Sequence, residues 1–522
     1  MRYHNPVRTY HVENFGCRAT QADGAALERQ FESRGLGRAP SADADLVILN
    51  TCTVTHAADQ DARAAIRRVQ RQNPLAKIIV TGCYAQRAPA EIAALPGVSC
   101  VVGNSHKHQL AEIVLDEFTP RREAFVPLAT LAARSQPPLF VSDIFAHTEL
   151  LAAPVFESAD AGAFHHNDRT RPNLKVQDGC DNRCSFCVIP GVRGRSRSLP
   201  LREIIREVNT LVGAGYRELV ISGINLGRWG RDLAISCQPL RPAAQGRLSA
   251  VFSGFPKPDA ESRTPNFESL IRAILADTQL EKLRISSVEP MDWTDDLISL
   301  VASSPRIAKH AHVPLQSGSD AVLRRMHRKY RPWHYREKIE KIRAAMPTAA
   351  IGADVMAGFP GETDAEFEAT RCLIADLPFT YLHVFTYSAR PGTPAAAMPN
   401  QVPVQVARER NKILRDLAAE KKLAFMQALV GKPLEAITLN SIHTRGDAEF
   451  TEALSDNYQK SYVKGRYEPN RWIRAHIESV EDTVLVGRMA VPPECSPPAR
   501  DPLAALQPAH SPSGSFSLLP RN

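Results

Sequence analysis

Three cysteines spaced C-x3-C-x2-C, in Gly179-Cys180-Asp-Asn-Arg-Cys184-Ser-Phe-Cys187, follow directly on the strand-like run Leu174–Gln177. Thiolates at that spacing converge on one face of a loop and can ligate three irons of a 4Fe–4S cube, whereas a closed zinc site wants a fourth close ligand. The fourth iron then has no protein ligand, and an open metal position is where a small molecule chelates. Phe186, between the last two cysteines, would shield such a group and keep its surroundings of low polarity. Three unrelated buried thiols, or a zinc loop completed by a distant histidine, are the other readings of the same residues. The 16 histidines, however, form no H-x3-H or comparable pair near these positions.

A loop of this kind has to be presented by a strand end. Strand-like runs recur at Leu174–Gln177, Leu219–Ser222, Leu283–Ser286, His312–Leu315, Ile351–Val355 and Tyr381–Phe385. Most alternate with amphipathic stretches such as Leu201–Val212, Phe267–Ala276 and Tyr335–Ala345. Six βα units in ~210 residues suit a partial, TIM-like (βα)6 barrel better than a full one of about 250 residues, with the chemistry at the C-terminal strand ends. Upstream, Leu46–Leu49 and Lys77–Val80 have strand length and β-branched content and precede helix-like Ala57–Gln72 and Pro89–Leu95. Val98–Val102 precedes a further helix, His108–Glu117. That alternation is expected to give an open parallel sheet with helices on its faces.

The 522 residues therefore read as an α/β multidomain chain. Residues 1–118 form the open-sheet domain, 119–169 a linker and 170–403 the partial barrel, interrupted by a proline-rich insertion at 234–265. A charged helix over 404–430 connects to 431–490, where short strand-like pieces between Gly, Asn and Asp indicate a small C-terminal β-barrel. The tail, 491–522, has eight prolines and reads as disordered.

Ten cysteines need a reason. The start, Met1-Arg-Tyr-His-Asn-Pro, has no apolar h-region, and no apolar run reaches the length of a membrane helix. A cytoplasmic, membrane-free protein is expected, with cysteines used as ligands or in catalysis, not in disulfides. Cys17 lies in Phe15-Gly-Cys-Arg, Cys52 in Asn50-Thr-Cys-Thr-Val-Thr55, and Cys83 in Thr81-Gly-Cys-Tyr-Ala-Gln86, each just beyond a strand-like run. In an open parallel sheet such loops share the carboxyl edge, so cysteines 35 and 31 residues apart can meet without a local motif. Isolated buried thiols are the alternative. Cys100, Cys237, Cys372 and Cys495 read as structural.

With two three-cysteine groups on this domain plan, the chain resembles the radical S-adenosylmethionine methylthiotransferase family. The resemblance covers about Tyr10–Glu117 and Thr170–Gly487, and rests on Gly16-Cys17-…-Gln21-x-Asp23, Asn50-Thr-Cys52, Thr81-Gly-Cys83-Tyr-Ala-Gln86 and Gln177-Asp-Gly-Cys180. Thr51–Thr55, Arg284-Ile-Ser-Ser-Val-Glu-Pro290 and Phe385-Thr-Tyr-Ser-x-Arg-Pro-Gly-Thr393 look most like the branch acting on N6-threonylcarbamoyladenosine at tRNA position 37. Branches acting on isopentenyladenosine or on a ribosomal-protein aspartate usually differ in the first two stretches. Thr20 stands where many relatives have Asn.

The resemblance implies that Cys180, Cys184 and Cys187 hold a 4Fe–4S cluster that makes a radical from S-adenosylmethionine. It implies that Cys17, Cys52 and Cys83 hold an auxiliary 4Fe–4S cluster that carries or donates sulfur. By the same resemblance Gly223, Gln316 and Asp354, each at a strand end, contact S-adenosylmethionine. A methylthio group would replace the hydrogen at carbon 2 of the adenine. Acid–base chemistry cannot break that unactivated C–H bond, so a cofactor radical is required.

The formal net charge of +8 suits a polyanionic partner. Tyr458, Tyr462, Tyr467 and Trp472 interleave with Lys460, Lys464, Arg466, Arg471 and Arg474, opposed only by Glu468. Aromatics stack on unpaired bases while cations meet phosphates, which suits a tRNA anticodon loop, and the segment resembles the TRAM-like RNA-binding β-barrel of the family. A barrel core with solvated cations is the alternative. Between Lys432 and Arg488 eight basic residues face nine acidic ones, so any RNA face is local. Arg193, Arg195 and Arg197, and the helical Arg63, Arg67, Arg68 and Arg71, are further candidates for phosphate contact or for solvated faces. An electron donor, unidentified from sequence, and a monomeric state complete the expectation.

Overall fold

In the first unit successive strand residues point to opposite faces, and both faces are apolar, which is what a sheet covered by helices on both sides requires. The structure, a computed structural model, describes residues 7–118, 137–147, 170–233 and 265–490. The tail, Cys237, Cys495 and all of the 234–265 insertion but its last residue lie outside the described residues. Strands β1 (Thr9–Asn14), β2 (Gly37–Arg38), β3 (Leu46–Thr51), β4 (Lys77–Gly82) and β5 (Val98–Gly103) are parallel, in the order β2-β1-β3-β4-β5. Val47, Leu49, Ile78 and Val80 pack against helix α2 (His56–Gln72); Leu46, Ile48, Ile79 and Cys100 pack on the other face with helix α1 (Arg18–Glu32) and helix Leu110–Phe118. Within the segment expected as linker, β6 (Leu139–Phe140) adds a sixth parallel strand beside β5.

The second unit is an arc of six parallel strands: β7 (Asn173–Asp178), β9 (Glu218–Gly223), β10 (Lys282–Ile285), β11 (His310–His312), β12 (Ala350–Ala357) and β13 (Tyr381–Thr386). Single parallel bridges, Leu283 to Ile307 and Ser287 to His312, join β10 to the β11 region. A two-residue strand, β8 (Arg197–Ser198), runs antiparallel along β7 and was not anticipated. Leu174, Val176, Leu219, Ile221, Leu283 and Ile285 face the helices in one core, while Lys175, Gln177, Glu218, Ser222, Arg284, His310 and His312 are buried on the opposite, inner side. The partial (βα)6 barrel thus has an apolar shell and a polar lumen.

Helix Val404–Gln427 leads to a closed antiparallel-rich barrel in the order β14 (Pro433–Arg445), β15 (Ala448–Ser455), β16 (Lys460–Lys464), β18 (Val484–Met489) and β17 (Trp472–Glu481). Closure leaves no free strand edge. Among the described residues no helix is long and apolar enough to cross a membrane.

The units are joined by buried charge. Asp23 of α1 receives Lys107 (3.1 Å) from its own unit and Lys175 and Arg193 (3.0 Å) from the barrel unit, where Lys175 (2.7 Å) and Arg193 (2.9 Å) also meet Asp178. A second buried junction sets Asp59 and Thr53 of the first unit against Arg87 and Arg390. At the other end, Arg284 donates to Glu218 (2.6 Å) and to the carbonyls of Ser455 and Asp456 of the β-barrel. Arg193, expected as a phosphate contact, is instead consumed in the first junction and is 2% exposed.

Burial alone would raise the Asp23 and Asp178 carboxyls, but the surrounding cations override it and hold both far below the usual carboxylate range. Their contribution is therefore fully present above about pH 4, the unfolded carboxylate range, and is lost only as pH falls below it. Replacing Asp23 by Asn leaves three buried cations with one carboxylate and is expected to cost about 3–5 kcal/mol. Urea denaturation of the full chain at pH 7 checks this; a loss near zero contradicts it.

Candidate functional site

Strands β1, β3 and β4 are adjacent and parallel, so their carboxyl ends open side by side. Cys17 caps the start of α1, Cys52 follows β3, and Cys83 opens the short helix Cys83–Arg87 after β4. The loops close up because residue 16 is glycine: its φ is +94°, and a Cβ there would lie 2.5 Å from the Cys52 Cβ and 2.8 Å from its Sγ. Burial, then Cys83 and Cys17, push the Cys52 thiol up to about 12. The structure thus brings together three cysteines that no local motif links. Thr20 Oγ1 lies 3.5 Å from Cys17 Sγ, and Asn104 Nδ2 donates to Cys83 Sγ at 3.6 Å.

Cys180, Cys184 and Cys187 sit in the loop after β7. Burial, then Cys184 and Cys180, push the Cys187 thiol up to about 12. Cys180 accepts from the Asn182 backbone N–H (3.4 Å) and from Asn225 Nδ2 (3.5 Å), and Cys184 from Arg328 Nη1 (3.4 Å). Phe186 packs edge-on against Phe359, with centroids 6.4 Å apart, which closes the apolar side of the loop. Burial pushes the Cys180 thiol up as well, and a shared metal group reverses that penalty while N–H···S bonds tune it.

Charge makes the same point for the first triad. The Asp23 junction beneath it holds two carboxylates, Asp23 and Asp178, against three cations, Lys107, Lys175 and Arg193. Cys83 acts electrostatically on Lys107, and Cys83 and Cys17 act on Arg193. A buried excess of one positive charge facing three thiols fits a thiolate-bound, anionic metal–sulfur group.

Gly223 ends β9, Gln316 lies four residues past β11 in a single parallel bridge to Val355, and Asp354 lies inside β12 and not at its end. Gln316 has φ 64°, and its backbone pairs with Asp354 O and Met356 N, so a bulky residue holds a strained conformation at the barrel mouth. Asp354 Oδ1 is shared by His312 Nε2 and His383 Nδ1, both at 3.2 Å. Tyr381 OH links His312 (3.0 Å) to His310 (2.7 Å). Burial would raise the Asp354 carboxyl, and the two imidazoles instead bring it well below its ordinary range. Histidines distant in sequence therefore cluster around Asp354, although no local H-x3-H pair marks them. Parallel pairing sets Asp354 opposite His383, a register that local spacing does not reveal.

The expected RNA-facing aromatics separate into different roles. Tyr458, at φ 62°, inserts between units: its ring lies 5.3 Å from the Arg284 guanidinium and 4.6 Å from the His310 ring. It is part of the inner junction and not an open stacking platform. Tyr462 stays on the barrel surface between Arg445 (5.0 Å) and Lys460 (5.6 Å), with Glu452 paired to Lys460 as a further acid beside Glu468. Trp472 carries Lys282 at 5.3 Å, and the Tyr467 hydroxyl bonds its own loop at Lys464 O. On α2, Arg63 pairs with Glu91 and Arg68 with Glu13, while Arg67 and Arg71 are exposed. Cys100 is buried in β5, and Cys372 is exposed beside Glu368, so only the former serves the core.

Comparison with known proteins places these features. Residues 9–103 match the family described as Uncharacterized protein family UPF0004, and residues 174–374 match the Radical SAM superfamily. The chain is 36% identical to the Threonylcarbamoyladenosine tRNA methylthiotransferase MtaB of Bacillus subtilis, over 88% of this chain and 91% of the relative. It is 33% identical to the protein of the same name from Aquifex aeolicus, over 89% and 99%. A tRNA-2-methylthio-N(6)-dimethylallyladenosine synthase from Novosphingobium aromaticivorans is 32% identical over 86% and 94%.

The close approach at residue 16 is testable. Gly16→Ala is expected to cost about 1–3 kcal/mol through the forced backbone and the contact with Cys52. Gly35→Ala, where φ is also positive but nothing lies within 4 Å, is expected to cost less. Thermal unfolding of both variants checks the order, and equal costs contradict it.

Proposed function

Because the chain belongs to the radical S-adenosylmethionine methylthiotransferase family, we propose that it adds a methylthio group to carbon 2 of N6-threonylcarbamoyladenosine at position 37 of tRNA. Membership brings a 4Fe–4S cluster and S-adenosylmethionine, and the loop that carries three free cysteines, Cys180, Cys184 and Cys187, fits as its holder. The observation that carries the fuller reading is the second triad, Cys17, Cys52 and Cys83, gathered over a buried positive excess and fit for an auxiliary cluster. When bound, the two clusters with S-adenosylmethionine supply the radical, the sulfur and the methyl group.

The chain's own residues bind, orient and exclude water. Phe186 and Phe359 keep the radical-site loop dry, and Asn225 and Arg328 fix Cys180 and Cys184 by N–H···S bonds. Gly223, Gln316 and Asp354 are the proposed contacts to S-adenosylmethionine. The C-terminal barrel, with Tyr462 between cations, is the proposed contact to the anticodon loop. The protein is proposed to act as a cytoplasmic monomer fed by a separate electron donor. The relative at 36% identity is named for threonylcarbamoyladenosine, which supports that substrate.

Mass spectrometry of tRNA nucleosides from cells lacking this protein tests the substrate. Loss of 2-methylthio-threonylcarbamoyladenosine, with the unmethylthiolated nucleoside accumulating, is expected. Loss of the dimethylallyl counterpart alone contradicts the assignment.

A further inference from the structure

A cavity of about 440 Å3 lies where all three units meet. Arg18 enters it from α1, Arg171 and Val220 from the barrel unit, and Leu439, Asn440 and Tyr458 from the C-terminal barrel. Arg18 directly follows Cys17, so the residue that enters the cavity is the chain neighbour of one member of the first cysteine triad. It donates to Tyr458 OH at 3.0 Å and lies 5.8 Å from that ring's centroid. Among the described residues no carboxylate comes within ion-pairing distance of it.

The neighbouring charges do not balance. Arg284 is held by Glu218 at 2.6 Å, and Arg171 reaches the same Glu218 only at 3.8 Å. Three guanidinium groups, Arg18, Arg171 and Arg284, therefore share one carboxylate. The Arg171 Nε donor is buried without a hydrogen-bond partner. A half-buried pocket with two surplus cations is completed by an anion, and a fork of guanidinium N–H groups matches a planar carboxylate. Val220 and Leu439 make part of the wall apolar, which suits an organic side chain carrying that carboxylate better than a backbone phosphate.

We propose that Arg18, held by Tyr458 and backed by Arg171, binds the carboxylate of the N6-threonylcarbamoyl group and so selects the substrate. This rests on the substrate assigned above. A hydrocarbon N6 group has nothing to offer Arg18, whereas the carboxylate removes the charge surplus and ties the modified base to the side of the lumen that carries Cys17. Tyr458 belongs to the C-terminal barrel, so the RNA-contacting unit would itself hold the selecting residue in place.

The test measures affinity of the full-length, cluster-loaded protein for two anticodon stem-loops, one with N6-threonylcarbamoyladenosine at position 37 and one with plain adenosine. The wild type is expected to prefer the modified loop; no preference would overturn the substrate assignment and this inference with it. Arg18→Gln is expected to lose about 10- to 100-fold in affinity for the modified loop, as befits one charged hydrogen-bonding partner, with the plain loop unaffected. Arg18→Lys, which keeps the charge but loses the fork, is expected to fall between the wild type and Arg18→Gln. An equal loss on both loops would reveal a phosphate contact and overturn the proposal, as would no loss on either.

Discussion

The Asp23 junction is the interaction on which the rest depends. One carboxylate on α1 collects a lysine from its own unit and a lysine and an arginine from the barrel unit, all buried. Such a cluster tolerates no sliding between the two units, because each displaced group would be left charged and dry. It fixes the carboxyl edge of the open sheet against the mouth of the barrel, and so fixes the two cysteine triads relative to each other. Its surplus positive charge lies beneath Cys17 and Cys83, where an anionic metal–sulfur group would neutralise it.

The polar lumen follows from the same division of labour. Period-two alternation sends apolar residues of the barrel strands to the helices and leaves the inner side to Lys175, Arg284, His310, His312 and Asp354. The C-terminal barrel is not an appendage, since Tyr458 enters this inner layer and Arg284 bonds to its backbone. Substrate contact by that barrel and the architecture of the lumen are therefore physically coupled.

What was legible in the sequence was what local spacing encodes. The C-x3-C-x2-C loop, the six barrel strands and the strand–Cys–helix placement of the first triad all depend on neighbours within a few residues. The charge junctions were not legible, because Asp23 meets partners 84 and 170 residues away. Arg193 was misassigned to phosphate for that reason: an arginine beside a cluster loop looks solvated until the opposite unit is in place. The histidine cluster escaped because it is made by register between parallel strands, Asp354 opposite His383 with His312 on the next strand. Tyr458 looked like a stacking platform because its insertion depends on a positive φ at the turn between β15 and β16.

The central claim is that one chain holds two separate four-iron groups, one on each triad. Iron counting on the anaerobically reconstituted full-length protein tests it most directly. The account predicts about eight irons per chain, falling to about four when Cys180, Cys184 and Cys187 are all replaced by Ala, and to about four again when Cys17, Cys52 and Cys83 are replaced instead. Four or fewer irons on the unaltered chain would contradict it.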